Sequence, residues 1–79
     1  MKTTPYFDFS RSRLDRSRIR TAWIRRVISH PEEMRVQQDG RIRFWGYVPE
    51  AGKHLRVVTL ADGETVHNAF FDRRHGRTK

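Results

Sequence analysis

Two Asp-Gly steps, Asp39-Gly40 and Asp62-Gly63, cut the stretch from Met34 to Arg74 into short apolar-rich runs. Written out it is MRVQQ-DG-RIRFWGYV-PEAGK-HLRVVTLA-DG-ETVHNAFFDRR, with Pro49 to Lys53 as the remaining break. Asp-Gly between β-branched and aromatic runs marks a hairpin, because both central residues of a type I′ turn need positive φ. The pattern predicts an antiparallel meander of four strands, with the residues upstream covering one face of it. The expected fold is therefore α+β, two N-terminal helices packed on one face of that meander.

A chain of 79 residues holds one small core, so a single domain over 1–79 is expected, with about 1–5 and 76–79 as flexible ends. Pro5 disfavours a helix in the opening MKTTP, and Tyr6-Phe7-Asp8-Phe9 reads as a short extended segment for the sheet edge. Ser10 then suits an N-cap for a first helix from Arg11 to about Arg16. A second helix, from about Thr21 to Ser29, has the better stripe. Trp23, Ile24, Val27 and Ile28 recur at a 3.6-residue period, Ile19 extends them backwards, and Arg20, Arg25 and Arg26 fall away from the centre. His30-Pro31 ends it, since proline disfavours helical geometry in the residue before it.

A two-residue turn at Asp62-Gly63 would place Thr59 opposite Val66, Val57 opposite Asn68 and Leu55 opposite Phe70 on the helix side. The other side would pair Val58 with His67 and Arg56 with Ala69. Strand two alternates Ile42, Phe44 and Val48 with Arg41, Arg43, Trp45 and Tyr47, and the break before strand three leaves its facing open.

The absence of cysteine removes disulfides and thiolate metal sites and fits a reducing cytoplasm. No apolar run nears the roughly 20 residues of a membrane-spanning helix, and the N-terminus lacks a signal-peptide core. The histidines make no metal ligand set, there is no phosphate-binding or dinucleotide glycine motif, and no cofactor is expected.

Seventeen Lys and Arg face nine Asp and Glu, for a formal charge of +8, and fourteen of the seventeen are Arg. Planar guanidinium forks grip phosphate and carboxylate bidentately, so the excess points to an anionic partner, nucleic acid or acidic protein. The plainer reading is a solvated cationic surface. His67 beside Arg56 could serve as general base or acid in cleaving an RNA phosphodiester, with arginine holding the phosphate; otherwise it fills a half-buried face. Arg41 and Arg43 interleave with Trp45 and Tyr47, which suits phosphate contact and base stacking, or else Trp45 covers apolar surface. Arg73, Arg74 and His75 form a phosphate clamp with a second proton-transfer candidate, or a solvated tail. The cluster Arg11, Arg13, Arg16, Arg18 and Arg20 is by default solvated surface. His30 and His54 read as helix-end and loop residues.

Several segments together resemble a bacterial domain family grouped with the BrnT and RelE/ParE-like toxins. They are Arg18-Ile19 before the second helix, His30-Pro31-Glu32 after it, Asp39-Gly40-Arg41-Ile42-Arg43, Leu55-Arg56-Val57-Val58, and His67 through Arg74. The resemblance covers about residues 6–75. It implies a RelE/ParE-like fold and the toxin half of a toxin–antitoxin pair, acting on mRNA or the ribosome as a metal-independent endoribonuclease. The alternative it carries is a ParE-like protein that inhibits another enzyme without cutting anything. The implied partner is a small acidic antitoxin. RelE-type catalytic residues vary, so none transfers by position; His67 and Arg56 as catalytic groups come from the strand pattern, and His75 from the basic run after the last strand.

Overall fold

The computed structural model describes residues 2–11 and 18–73, and within that range backbone alone for Arg11. The order is α1 (Pro5–Arg11), α2 (Thr21–Ser29), β1 (Glu33–Val36), β2 (Ile42–Val48), β3 (Lys53–Thr59) and β4 (Val66–Phe71). The four strands form one antiparallel sheet in chain order, so the expected α+β meander is present. α2 lies against β2 and β3, and α1 against β4.

Pro5 opens α1 instead of forbidding it. Proline at the first helical position loses an N–H that has no intrahelical acceptor there, and its fixed φ already suits the helix. Thr4 is the cap. Its Oγ1 accepts the Phe7 N–H at 3.1 Å, and its carbonyl accepts the Asp8 N–H at 3.0 Å. Tyr6 to Phe9 are therefore helical, not extended, and Ser10 lies buried within that helix instead of capping one. Of the first helix expected from Arg11 to Arg16, positions 12–16 lie outside the described residues. The extended segment sits nearer the start. Thr3 bridges Val66 in parallel, Val66 N–H donates to the Lys2 carbonyl at 2.8 Å, and Thr4 N–H donates to the Val66 carbonyl at 3.0 Å. Lys2 to Thr4, expected to fray, are thus tied to the β4 edge.

α2 occupies the span its periodicity predicts. Ile24 and Val27 are buried, Trp23 and Ile28 flank them, and Ile19 joins the same core from the preceding segment. Arg20, Arg25 and Arg26 face solvent, and His30 closes the last turn with its N–H on the Arg26 carbonyl at 2.9 Å.

Both Asp-Gly steps make hairpins, but not by type I′ turns, because among the described residues none other than glycine has positive φ. In the first, Gly40 (φ 94°) follows a turn closed by its own N–H on the Gln37 carbonyl, and Gln37 N–H reaches the Arg41 carbonyl at 2.7 Å. That leaves three residues, 38–40, in the loop, a common hairpin connection with glycine in the left-handed region. In the second, Gly63 N–H closes on Leu60, and Asp62 Oδ1 accepts the N–H groups of Glu64 and Thr65. Those bonds, with a further one from the Thr65 hydroxyl, hold the Asp62 carboxyl down at about 2.

The helix-side face of the sheet carries Phe44 and Val48 from β2, Leu55, Val57 and Thr59 from β3, and Val66 and Ala69 from β4, all buried. Phe7 from α1 joins that core. Gly46 stands in the same row, where α2 comes so close that an added Cβ would lie 3.0 Å from Val27 Cγ2. Fully burying a residue such as Leu55 or Ile24 contributes about 1.5–3 kcal/mol. The facing of β2, left open by the sequence, is thus fixed with Phe44 and Val48 towards the helices and Arg43, Trp45 and Tyr47 on the other side.

β4 departs from the expected register. Thr59 does face Val66, but a bulge between Val58 and Thr59 sets His67 aside as an extra residue. Beyond it Val58 pairs with Asn68, Val57 with Ala69, Arg56 with Phe70 and Leu55 with Phe71. Asn68 and Phe70 are therefore moved off the helix side, and Ala69 and Phe71 take their places. One inserted residue reverses every side chain beyond it.

Candidate functional site

The outer face of the sheet, away from α2, is built from the alternate residues of the same strands: Arg43, Trp45 and Tyr47 of β2, and His54, Arg56 and Val58 of β3. Its centre is an open groove of about 360 Å³. Arg41, Arg43, Arg56 and His67 line it, so four of the candidate residues do converge. Tyr6, Gln37, Asn68 and Phe70 complete the polar and aromatic lining, and none of these was a sequence-based candidate. Phe70 reaches the groove only because of the bulge, and Tyr6 only because α1 starts at Pro5.

Arg56 is the most constrained of the cations. Its guanidinium carbon sits 4.3 Å from the centre of the Phe70 ring and 6.0 Å from that of Trp45. Its nearest carboxylate contact is Asp72 Oδ2, at the 4.0 Å limit of an ion pair. Among the described residues its buried Nε has no hydrogen-bond partner. Burial pushes its pKa down; Asp72 pulls the other way, and Arg43 adds repulsion. A cation so desolvated gains more from an incoming anion than one that is fully hydrated. Arg43 is oriented by its Nε–H on Gln37 Oε1 at 3.0 Å, and Arg41 pairs loosely with Asp39 at 3.7 Å.

His67 lies under the Tyr6 ring, centroids 5.0 Å apart and planes 26° from parallel. Its Nδ1 shares a 3.0 Å hydrogen bond with Thr4 Oγ1. Burial first, then the charge of Arg41, lowers its pKa, while Asp39 acts the other way. That shift favours the neutral ring, and with Nδ1 engaged by Thr4, Nε2 is the nitrogen left to meet a ligand.

Other candidates are placed elsewhere. Trp45 is only 5% exposed, covered on the outer face, and its Nε1–H donates to Asp72 Oδ2 at 3.1 Å, so its ring offers no open surface for stacking. Tyr47 is exposed but belongs to the far end of the face, edge-on to His54 at 5.2 Å. There Glu32 accepts the Tyr47 N–H at 3.0 Å and contacts His54 Nε2 at 3.1 Å. His54 is thus a half-buried residue of β3, not a loop residue. Arg73 is exposed beyond β4 and does not line the groove. Arg74 and His75 lie outside the described residues, as do Arg13 and Arg16. Arg18 and Arg20 are exposed ahead of α2, and Arg26 forms a bidentate pair with Glu50 that holds this carboxyl down at about 2. The guanidinium groups are therefore shared between the helix layer and the groove instead of gathered on one side.

Among the described residues no His, Asp and Glu cluster has metal-binding spacing, and no helix is long and apolar enough to cross a membrane. The arrangement brings three guanidinium groups, an imidazole and two aromatic rings into one groove, a chemistry that suits an anionic group. Comparison with models of known protein families, with curated proteins and with solved structures gave no match.

Proposed function

We propose that the outer groove binds single-stranded RNA, with Arg41, Arg43 and Arg56 holding phosphates and Tyr6 and Phe70 offering apolar ring surface to unpaired bases. The observation that carries this reading is the desolvated Arg56, seated on Phe70 in an open groove with two further guanidinium groups beside it. Aromatic rings beside phosphate-binding cations suit a single strand, whose bases can turn onto the protein. The resemblance to RelE-like toxins supports placing the chain in a toxin–antitoxin pair. In that setting an acidic antitoxin segment would cover the same guanidinium groups.

Within this reading the reaction is metal-independent cleavage of mRNA. His67 Nε2 takes the proton from a ribose 2′-hydroxyl, and the arginines stabilise charge on the phosphorus oxygens as the 2′-oxygen attacks. The P–O5′ bond breaks, leaving a 2′,3′-cyclic phosphate, and the departing 5′-oxygen takes a proton from the imidazolium or from water. The neutral imidazole is the form a base requires. Purified protein should cut single-stranded RNA or mRNA on translating ribosomes, and His67→Gln should bind RNA but leave it intact. Uncut RNA in both assays with the native protein would end the catalytic reading while leaving binding to be tested by titration.

A second reading, a non-catalytic binding or enzyme-inhibiting protein, is favoured by the ties of His67 to Thr4 and Tyr6. Those ties give the histidine a structural role joining the N-terminal segment to β4. Under this reading the protein arrests growth on expression, Arg56→Glu abolishes the arrest, and His67→Gln leaves it intact.

A further inference from the structure

β1 is an edge strand, and among the described residues its only extensive neighbour is β2. Its residues alternate in an unusual way. Met34 and Val36 stand in the helix-side row, opposite Phe44 and Ile42, yet they are 56% and 60% exposed. Glu33 and Arg35 stand on the outer side, opposite Trp45 and Arg43, and contact each other at 3.5 Å. Edge strands are ordinarily guarded by shortness, by unbalanced charge (lysine above all), by proline, by a bulge or by a covering segment. β1 has the first of these, while its Glu33 and Arg35 balance each other. The opposite edge has such a guard, since Lys2 to Thr4 lie along Val66 and the Asn68 side chain takes the Ala69 N–H. β1 contains neither lysine nor proline, and it pairs with β2 residue for residue.

The strand is also self-complementary. Gln37 N–H bonds to the Arg41 carbonyl, so the alternation of an antiparallel ladder turns the N–H and C=O of Met34 away from β2. Laid antiparallel on a second copy with Met34 opposite Met34, these groups exchange two hydrogen bonds across a two-fold axis. In that register each Glu33 faces the other copy's Arg35, and the thioethers meet on the apolar side. Pro31 to Gln38 holds two carboxylates and one guanidinium, so the overall charge of +8 does not repel along this strip.

We propose that the β1 edge pairs with the β1 edge of a second copy of this chain in an isologous dimer centred on Met34, making one continuous eight-stranded sheet. The outer faces of the copies then adjoin, and their β2 strands lie three strand spacings apart, about 14 Å. The interface rests on the exposed edge and not on the reading of the groove.

Sedimentation of the full chain should show a concentration-dependent monomer–dimer equilibrium. E33R and R35E each set like charges opposite one another twice and should weaken the dimer about tenfold or more. Mixed one to one, these two variants should form a heterodimer, and the double variant E33R/R35E should recover the homodimer. Circular dichroism is the control that each variant is folded, which solvent-exposed positions make a fair test. A native chain that stays monomeric up to millimolar concentration overturns the proposal. So does a dimer that either single variant leaves intact, or a variant mixture that stays monomeric. RNA binding is read separately, on monomer, so its loss or survival does not bear on this result.

Discussion

On its helix side β3 presents Leu55, Val57 and Thr59, none with measurable exposure, while on its outer side it presents His54, Arg56 and Val58. The first row is held by apolar contact with α2, and its interactions are satisfied within the chain. The second row includes a guanidinium stripped of much of its water, with a ring below it and a distant carboxylate beside it. One strand therefore supplies both the most settled and the least settled part of the molecule. Stability should depend on one row and anion binding on the other.

The largest separation should come from Leu55→Ala. Deleting a fully buried leucine costs about 2–5 kcal/mol, read as a lower denaturation midpoint in urea, with RNA affinity of the remaining folded protein unchanged. Gly46→Ala should follow at about 1–3 kcal/mol, because the new methyl group meets the buried Val27 side chain, which must give by a few tenths of an ångström within a packed core. The converse variant is Arg56→Met, which keeps the stem on Phe70 and removes the charge. RNA affinity should fall about tenfold to a hundredfold, as expected for a hydrogen-bonded charge, while the urea midpoint holds or rises. Loss of stability with unchanged affinity would show that the two rows are not divided in this way.

A smaller effect lies in pH. His67 has a lowered pKa in the folded chain, so the unfolded chain takes up a proton first as pH falls below about 6.5. Stability should therefore decline from neutral pH towards pH 5, and His67→Gln should flatten that decline in urea titrations. The smallest effect belongs to Asp62, whose contribution is present above the ordinary carboxylate pKa and is lost as pH falls towards about 2. Asp62→Asn should reduce the acid-dependent loss seen in thermal melts, leaving the share that comes from Glu50 and its pair with Arg26.

The helix-side row was readable from the sequence because it rests on period alone. Trp23, Ile24, Val27 and Ile28 repeat every helical turn, and Ile42, Phe44 and Val48 repeat every second residue. The convergence of Arg41, Arg43, Arg56 and His67 was only half legible. Alternation put Arg41 with Arg43 and Arg56 with His67, but left the facing of strand two open. His67 reaches the groove from the bulge and not from the expected pairing with Val58. What composition could not disclose was the bulge. Asn-Ala-Phe-Phe has a plausible apolar row in either register, so nothing local distinguishes Phe70 inward from Phe70 outward. The covering of Trp45 and the settling of His54 depend on Asp72 and Glu32, partners 27 and 22 positions away. Thr4-Pro5 reads equally as a cap followed by a first-turn proline and as a helix breaker, and only the bonds that Thr4 makes to Phe7 and Asp8 decide between the two.

The bond between Thr4 and Val66 sets an order on synthesis. Of the described elements, the earliest made has its docking edge in the latest made, the strand β4, and its cap residue also meets His67 there. Until that strand emerges, Phe7 has no β4 to pack against, and α1, only seven residues long, is too short to persist alone. The N-terminal turn should thus be the last piece to lock during translation, and a chain stalled before Val66 should leave Phe7 open to chaperones and proteases.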